Sequence, residues 1–130
     1  HREQLDAITY RRCRHVISED ERTLAAVAAL RAGDLRRLGE LMNASHLSLR
    51  DDYEVSCYEL DVMVESAWRQ GGIIGARMTG AGFGGCTINL VDEHSAEALA
   101  HNVTREYAQV TGITPEIYIC RAEDGVRTLG

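Results

Sequence analysis

Four glycines lie within six positions, at 80, 82, 84 and 85, in the stretch RMTGAGFGGCT of residues 77–87. The runs on either side, residues 73–78 and 86–91, have the apolar and β-branched composition of strands. Glycine adopts positive φ angles and lets the backbone approach another group closely, but it costs conformational entropy on folding. An ordinary hairpin needs one or two such residues. The stretch therefore predicts two strands joined either by a wide turn, with Phe83 packed back as a plug, or by a nest of amides that faces a ligand.

Two common nucleotide motifs do not fit this loop. Gly80, Gly82 and Gly85 match the spacing G-x-G-x-x-G, but a dinucleotide site needs a helix that begins inside the motif, and here a strand-like run follows. A Walker-type phosphate loop needs a lysine where Cys86 stands. All 14 basic residues of the chain are arginine, so neither that lysine nor a Schiff-base lysine is available.

Helical patterns fill the chain before the loop. Ser18 and Glu21 match a capping box, which predicts a helix start, and the arginine-rich segment before them is compatible with the same helix. Gly33 followed by Asp34 predicts the end of this helix and the start of the next. Apolar residues recur at helical spacing on both sides of this pair. We therefore predict an antiparallel helical hairpin.

The remaining elements complete an α+β pattern. Ser56 and Glu59 match a second capping box, and a further helix is predicted from about residue 95 to residue 111. Residues 117–120 have strand composition. We predict a single α+β domain over residues 1–130, with a helical hairpin and one antiparallel sheet that carries helices on one face.

The charged and histidine-containing segments favour structural interpretations. Arg11, Arg12, Arg14 and His15 would spread over more than one helix face, which favours a solvated surface over an anion site. Asp51 and Asp52 are neighbours whose side chains should point apart, so we predict acids that cap nearby amides rather than a magnesium site. His46 is predicted to be a satisfied core or boundary histidine, not a ligand.

Composition excludes several classes of function. The net charge of −6 argues against a general nucleic-acid binder, which needs a basic surface. No apolar run approaches the roughly 18 residues of a membrane-spanning helix, and the first residues show no signal-peptide pattern, so we expect a cytoplasmic protein without membrane contact. The cysteines form no C-x-x-C pair and are predicted to be free buried thiols rather than zinc ligands: Cys13, Cys57, Cys86 and Cys120.

Several motifs together resemble one enzyme family. The sequence RMTGAGFGGC of residues 77–86 resembles the third conserved motif of galactokinases, which belong to the GHMP kinase superfamily and usually have RMTGGGFGGC. The stretches RHVISE at 14–19 and LRDDYEVS at 49–56 are similar to the C-terminal half of galactokinases, in the same order. The resemblance covers nearly the whole chain. It departs at Ala81, where the family usually has glycine, and at Tyr58, where it often has proline.

The resemblance implies a ferredoxin-like GHMP kinase C-terminal domain. The family transfers the γ-phosphoryl group of ATP to the C1 hydroxyl of galactose, with Mg²⁺. It implies that five residues form the loop that lines the substrates and nucleotide: Thr79, Gly80, Gly82, Gly84 and Gly85. Ala81 is compatible with this loop if its φ is negative.

The resemblance also implies that the reactive groups belong to an N-terminal half. The family's sugar motif, phosphate loop, magnesium-binding acid and catalytic aspartate have no counterpart in this sequence. We therefore expect no catalytic residue, metal ligand or bound cofactor in this chain and no activity of the chain alone. The N-terminal half is the expected partner, and the domain face that it would cover could support self-association.

Two other classes of function stay open at this level. One is a free-standing ferredoxin-like domain that binds a small ligand or regulates another protein, with the glycine loop as its pocket. The other is a structural dimerisation module.

Overall fold

The structure is a computed structural model that describes residues 2–122. It contains four α-helices and two strands: α1 Ala7–Ala32, α2 Leu35–Ser48, α3 Tyr58–Trp68, β1 Ile73–Thr79, β2 Cys86–Val91 and α4 Ala96–Thr111. A π-helical turn, Leu49–Tyr53, extends α2, and short 3-10 turns lie at Arg2–Gln4 and Glu93–Ser95. The predicted α+β order, with a helical hairpin followed by an antiparallel strand pair, is confirmed. None of the described helices is long and apolar enough to cross a membrane.

The first helix includes the arginine-rich segment before Ser18, as the sequence allowed, and begins at Ala7. The carboxylate of Asp6 accepts hydrogen bonds from the amides of Ile8 and Thr9 and caps α1. The capping box predicted at Ser18 is therefore wrong, because this residue lies inside the helix and its hydroxyl donates to a backbone carbonyl. A capping box needs unsatisfied amides, and these exist only in the first turn of a helix.

The predicted boundary between the two helices is confirmed. Gly33 ends α1 in the left-handed conformation, with φ of 67°. The Asp34 carboxylate accepts a hydrogen bond from the Arg37 amide and caps α2. Glycine pays no steric penalty at positive φ, and aspartate satisfies a free amide, so both ends are fixed by local chemistry.

Helices α3 and α4 cover one face of the sheet. Their buried side chains meet those of β1 in one cluster, formed by Val64, Ala67, Ala76, Leu99 and Val103. The predicted end of α4 is confirmed at Gly112, which has φ of 74°. The capping box predicted for α3 is wrong, because the helix begins at Tyr58 and the Ser56 hydroxyl donates instead to the Asp61 carboxylate.

The predicted third strand is also wrong. Residues 117–120 are irregular, and Ile117, Tyr118 and Ile119 are exposed. The sheet of the described chain has two strands, β1 and β2. Strand propensity measures how well side chains fit a half-buried pleated surface, and it cannot supply the partner backbone that a strand needs.

Helix α2 lies along the edge of β1 at very short range. A Cβ atom added at Gly39 would overlap the carbonyl group of Ile74, and one added at Gly75 would lie 2.6 Å from the Gly39 Cα. The Asn43 side-chain oxygen accepts the amide of Ala76 at 2.9 Å. Side chains of α2 thus satisfy amides of β1 that a neighbouring strand would otherwise bind.

Further along this edge, the ring of His46 also accepts a hydrogen bond from an amide of β1. Its Nδ1 accepts the amide of Met78 at 3.3 Å, two residues beyond the first bonded amide. The Asn43 oxygen also accepts the Trp68 indole N–H at 2.7 Å, which joins α3 to the same contact. The spacing matches because side chains three apart share a helix face and strand amides two apart share an edge.

We expect Gly39→Ala to destabilise the domain, although alanine is favoured over glycine by about 1 kcal/mol at an ordinary helical position. The added methyl group meets backbone, which cannot rotate away, so a net loss of about 2 kcal/mol or more in the free energy of unfolding is expected. Urea unfolding measures it. Gly71→Ala is the control, because nothing lies within 4 Å of its Cβ position. Equal stability of Gly39→Ala and the wild type would contradict the close helix–strand contact.

Candidate functional site

The glycine loop, residues 80–85, joins β1 to β2 directly after the pair Thr79–Cys86. All four of its glycines have positive φ: Gly80 88°, Gly82 85°, Gly84 124° and Gly85 110°. Such angles favour glycine strongly, since a side chain would clash with the backbone. Each of the four glycines therefore stands at a position whose backbone angle favours glycine.

The two other loop residues behave differently from each other. Ala81 is not among the residues with positive φ, so the condition under which alanine is compatible with the loop is met. Phe83 has φ of 57°, and 75% of its surface is exposed. The alternative of a turn with Phe83 packed back as a plug is therefore wrong. Its backbone is fixed instead, because its amide donates to the Val55 carbonyl oxygen at 2.8 Å.

One side of the glycine loop packs against Val55 and Met78, and the other side has no neighbouring atoms from residues 2–122 at three of its glycines. A Cβ atom added at Gly82 would overlap the Val55 carbonyl oxygen and lie 3.1 Å from the Met78 methyl carbon. At Gly80, Gly84 and Gly85 nothing lies within 4 Å of the Cβ position. The loop is therefore anchored near its middle, and its remaining backbone has space for another group to approach.

Val55 is itself held by the turn after α2. Its amide donates to the Leu49 carbonyl oxygen at 3.1 Å, across the π-helical turn. The intervening Glu54 adopts a left-handed conformation, with φ of 58°. A non-glycine residue in this conformation is strained and persists only where its surroundings hold it.

Arginines of α1 hold this turn. Arg14 makes a two-point contact with the Asp52 carboxylate, and both Arg11 and Arg12 pair with Glu54. The prediction of a solvated arginine surface is confirmed in part: Arg14 is exposed, but Arg11 and Arg12 are half-buried, and all three pair with acids about 40 positions away in sequence. Hydrogen bonds from Arg12 hold the pKa of the Glu54 carboxyl below its usual value.

The neighbouring side chains close the contact between α1 and the turn. The His15 ring stacks on Tyr53 at 4.5 Å between centroids, and its Nδ1 lies 3.0 Å from the Ser48 hydroxyl. Asp51 pairs with Arg50 rather than with the arginines of α1, so the two acids do point apart as predicted. They bind guanidinium groups rather than capping amides, which corrects the predicted role.

His46 links the base of the glycine loop to the start of α3. The buried ring accepts the Met78 amide at Nδ1, and its Nε2 lies 3.4 Å from Asp61 Oδ1, which also accepts the Ser56 hydroxyl. The prediction of a core histidine is confirmed, but that of a satisfied one is wrong, because the buried Nε2 makes no hydrogen bond with the described part of the chain. Burial lowers the pKa of His46, and the Asp61 carboxylate opposes this shift only in part.

The cysteines take no part in the site. Cys13, Cys86 and Cys120 are exposed and Cys57 is half-buried, so the prediction of buried thiols is wrong, whereas the free state is confirmed for all four. Within residues 2–122 no group of His, Cys, Asp and Glu side chains could hold a metal ion.

The sequence-predicted loop residues lie together, but the anchor beneath them was missed. Thr79, at the end of β1, and the four glycines lie within residues 79–85, whereas Val55 is distant in sequence and acts through its backbone. Every residue has a backbone carbonyl group, so the residue type does not reveal which carbonyl accepts a hydrogen bond. The opposite charges of the segments at 11–14 and 51–54 were the available signal, and they could have suggested a pairing.

Comparison with known proteins identifies similar domains. The family model described as GHMP kinases C terminal matches residues 26–109. The chain is 50% identical to the galactokinase of Clostridium beijerinckii, over 96% of this chain and 32% of that protein. It is 51% identical to the galactokinase of Streptococcus mutans, over 95% of this chain and 32% of that protein. The chain thus spans about a third of the length of these curated relatives.

Two crystal structures resemble the fold. The Lactococcus lactis galactokinase complexed with galactose superposes with a TM-score of 0.81 and 49% identity, over 84% of this chain and 28% of that chain. The L. major mevalonate kinase in complex with R-mevalonate superposes with a TM-score of 0.58 and 32% identity, over 70% of this chain and 26% of that one.

We expect Gly82→Ala to disturb the loop more than Gly80→Ala. Both substitutions place alanine at positive φ, which costs about 1–2 kcal/mol. Only Gly82→Ala also meets the Val55 carbonyl, so a further loss of about 1–3 kcal/mol in the free energy of unfolding is expected. Thermal or urea unfolding of the two variants provides the comparison. Equal losses would show that Val55 does not contact the loop.

The buried His46 should make the stability of the folded state fall as the pH is lowered. Because its folded pKa lies below the unfolded value of about 6.5, the folded state resists protonation, and stability falls as pH drops below 6.5. His46→Gln should flatten this slope below about pH 6.5, by at most about 1.4 kcal/mol per pH unit. Urea unfolding across this range measures it.

Two further variants show which histidine causes the dependence of stability on pH. Burial also lowers the pKa of His15, so His15→Gln should flatten the slope in the same direction. His101→Gln, at an exposed position of α4, controls for the loss of a histidine. An unaltered slope in both buried variants would mean that neither ring stays neutral in the folded state.

Proposed function

Since the chain belongs to the GHMP kinase C-terminal family, we propose that it forms the C-terminal part of a galactokinase and that its glycine loop is one wall of the substrate site. The observation that carries this proposal is the identity of about 50% with galactokinases along nearly the whole chain. The open side of the glycine loop supports it, since the backbone there can approach a bound substrate without interference from side chains.

The proposed reaction is a phosphoryl transfer from ATP to galactose. The C1 hydroxyl oxygen bonds to the γ-phosphorus, the bond from that phosphorus to the β,γ-bridging oxygen breaks, the hydroxyl proton is released and ADP leaves. Catalysis of such a transfer is mainly positioning and charge stabilisation. Mg²⁺ would neutralise phosphate charge in the complete enzyme, but the described residues offer no cluster to hold it, so we assign no metal ligand to this chain.

The role proposed for this chain is to shape the site rather than to form or break bonds. The backbone of the glycine loop and Thr79 would border the sugar and the nucleotide, with positions 80, 84 and 85 on the open side. We assign no catalytic residue to residues 1–130, so the phosphate-binding and catalytic groups would come from an N-terminal part. The chain alone is then expected to be inactive.

The N-terminal part is the partner that we propose for the exposed apolar residues of α1. Among the described residues this helix exposes several large apolar side chains: Ile8, Val16, Ile17, Leu24 and Leu30. Surfaces of this kind usually mark a contact with another protein segment. In a preparation of the chain alone, the same surface would promote self-association. We place the complete enzyme in the cytoplasm, where its substrate ATP is available.

A chimera tests the proposed function. Residues 1–130 replace the matching segment of the Lactococcus lactis galactokinase, and galactose-dependent formation of ADP is measured. We expect kcat/KM within about tenfold of the parent, because a similar domain should restore the same substrate wall. The isolated chain, and the parent enzyme without its matching segment, should show no galactose-dependent turnover.

Two outcomes would contradict the proposal. One is a chimera that is folded by circular dichroism but inactive with galactose. The other is ordinary turnover by the isolated chain, which would mean that residues 1–130 contain the catalytic groups. Binding of ATP or a sugar by the isolated chain at micromolar concentration, with an inactive chimera, would favour a free-standing ligand-binding domain instead.

A further inference from the structure

One arginine side chain contacts each of three consecutive residues in the turn before α3. The Nη1 of Arg12 donates to the Asp52 carbonyl oxygen, and its Nη2 donates to the Glu54 carboxylate. Its guanidinium carbon lies 6.0 Å from the centre of the Tyr53 ring, within the range of a cation–π contact. The planar fork of arginine can make such contacts together, whereas the single ammonium group of lysine cannot.

These three residues determine where the next backbone carbonyl points. Glu54 is left-handed, a conformation that is unfavourable for a residue with a side chain. Its carboxylate is held by Arg12 and also by Arg11 at 3.0 Å, and both arginines project from α1. The ion pairs therefore stabilise the strained residue that precedes Val55.

Val55 is the point at which the turn reaches the glycine loop. Its carbonyl oxygen accepts the Phe83 amide and fills the space that a Cβ at Gly82 would need. On the other side of the loop the Cβ positions of Gly80, Gly84 and Gly85 have no neighbour within 4 Å. A displacement of Val55 would therefore release the middle of the loop.

We propose that Arg12 is a positioning residue for the glycine loop, acting from α1 through residues 52–55. The proposal rests on the proposed function, because it makes the shape of the substrate wall depend on a helix that does not itself form that wall. Arg12 fixes the backbone of the turn, the turn fixes the Val55 carbonyl, and the carbonyl holds the loop at Phe83.

This role differs from that of an ordinary surface ion pair. The side chains of Arg12 and Glu54 are 32% and 48% exposed, and exposed pairs contribute little to global stability because solvent screens them. Loss of the pair should therefore leave the folded state populated while it frees one local contact. The local and global effects can be measured separately by amide hydrogen exchange.

The first experiment measures exchange at single amides by NMR in the 130-residue chain. In Arg12→Ala we expect the Phe83 amide to exchange about tenfold faster, because its acceptor is no longer fixed. The amide of Val103, buried in α4, should change less than about threefold, since it reports on global opening. Arg31→Ala, at an exposed position of the same helix, should change neither amide.

Two further variants identify the contact responsible. Arg12→Lys keeps the charge but loses the fork, so exchange at Phe83 should lie between the wild type and Arg12→Ala. Glu54→Gln removes the charge of the acceptor and should accelerate exchange at Phe83 in the same direction. Combined with Arg12→Ala its effect should be less than additive, because both substitutions break the Arg12–Glu54 pair, although Glu54→Gln also weakens the pair with Arg11.

The second experiment measures kinetics of the chimera described above. If only a fraction of molecules keeps the loop in its binding position, apparent affinity falls by that fraction, so Arg12→Ala should raise the KM for ATP or galactose about tenfold with kcat retained. Simple loss of folded enzyme would lower kcat at constant KM. Arg31→Ala should match the unsubstituted chimera in both constants.

The outcomes separate this inference from the proposed function. Unchanged exchange at Phe83 in Arg12→Ala, or acceleration equal to that at Val103, overturns the inference whatever the activity of the chimera. A fall in kcat at constant KM also overturns it. Faster exchange at Phe83 together with an inactive unsubstituted chimera would support the role of Arg12 in holding the loop and would refute the galactokinase function.

Discussion

The close contact between helix α2 and the edge of β1 is the constraint on which the rest of the structure depends. It exists because Gly39 and Gly75 lack the Cβ atoms that would collide with the facing backbone. At this separation the side chains of Asn43 and His46 reach strand amides and take the place of a neighbouring strand. The helix therefore closes one edge of the sheet and fixes the direction in which β1 leads into the glycine loop.

The glycine loop combines a rigid anchor with an open backbone. Each of its four glycines has a positive φ angle, and the Val55 carbonyl holds the loop at Gly82 and Phe83. Under the proposed function, backbone beside the substrates of a phosphoryl transfer would benefit from both properties, since catalysis there is mostly positioning. A mobile loop would lose this geometry, and side chains at positions 80, 84 and 85 would fill the space that is open there.

Features that depend on neighbouring residues were predicted better than features that depend on residues far apart in sequence. The helix boundary at Gly33 and Asp34 was correct, because caps depend on adjacent residues. The capping box predicted at Ser18 was wrong, because Ser18 and Glu21 lie inside a longer helix that is capped at Asp6. The strand expected at 117–120 failed because a strand needs a partner as well as a composition.

The sequence alone determined the α+β class, the two strands around the glycine loop, and the family to which the chain belongs. These follow from periodicity, glycine content and motifs, which are local properties of the chain. Only the tertiary structure decided that Arg12 reaches Glu54, and that Val55 holds the loop through its carbonyl oxygen. The physical reason is that such contacts join residues far apart in sequence, one of them through backbone atoms that every residue type shares.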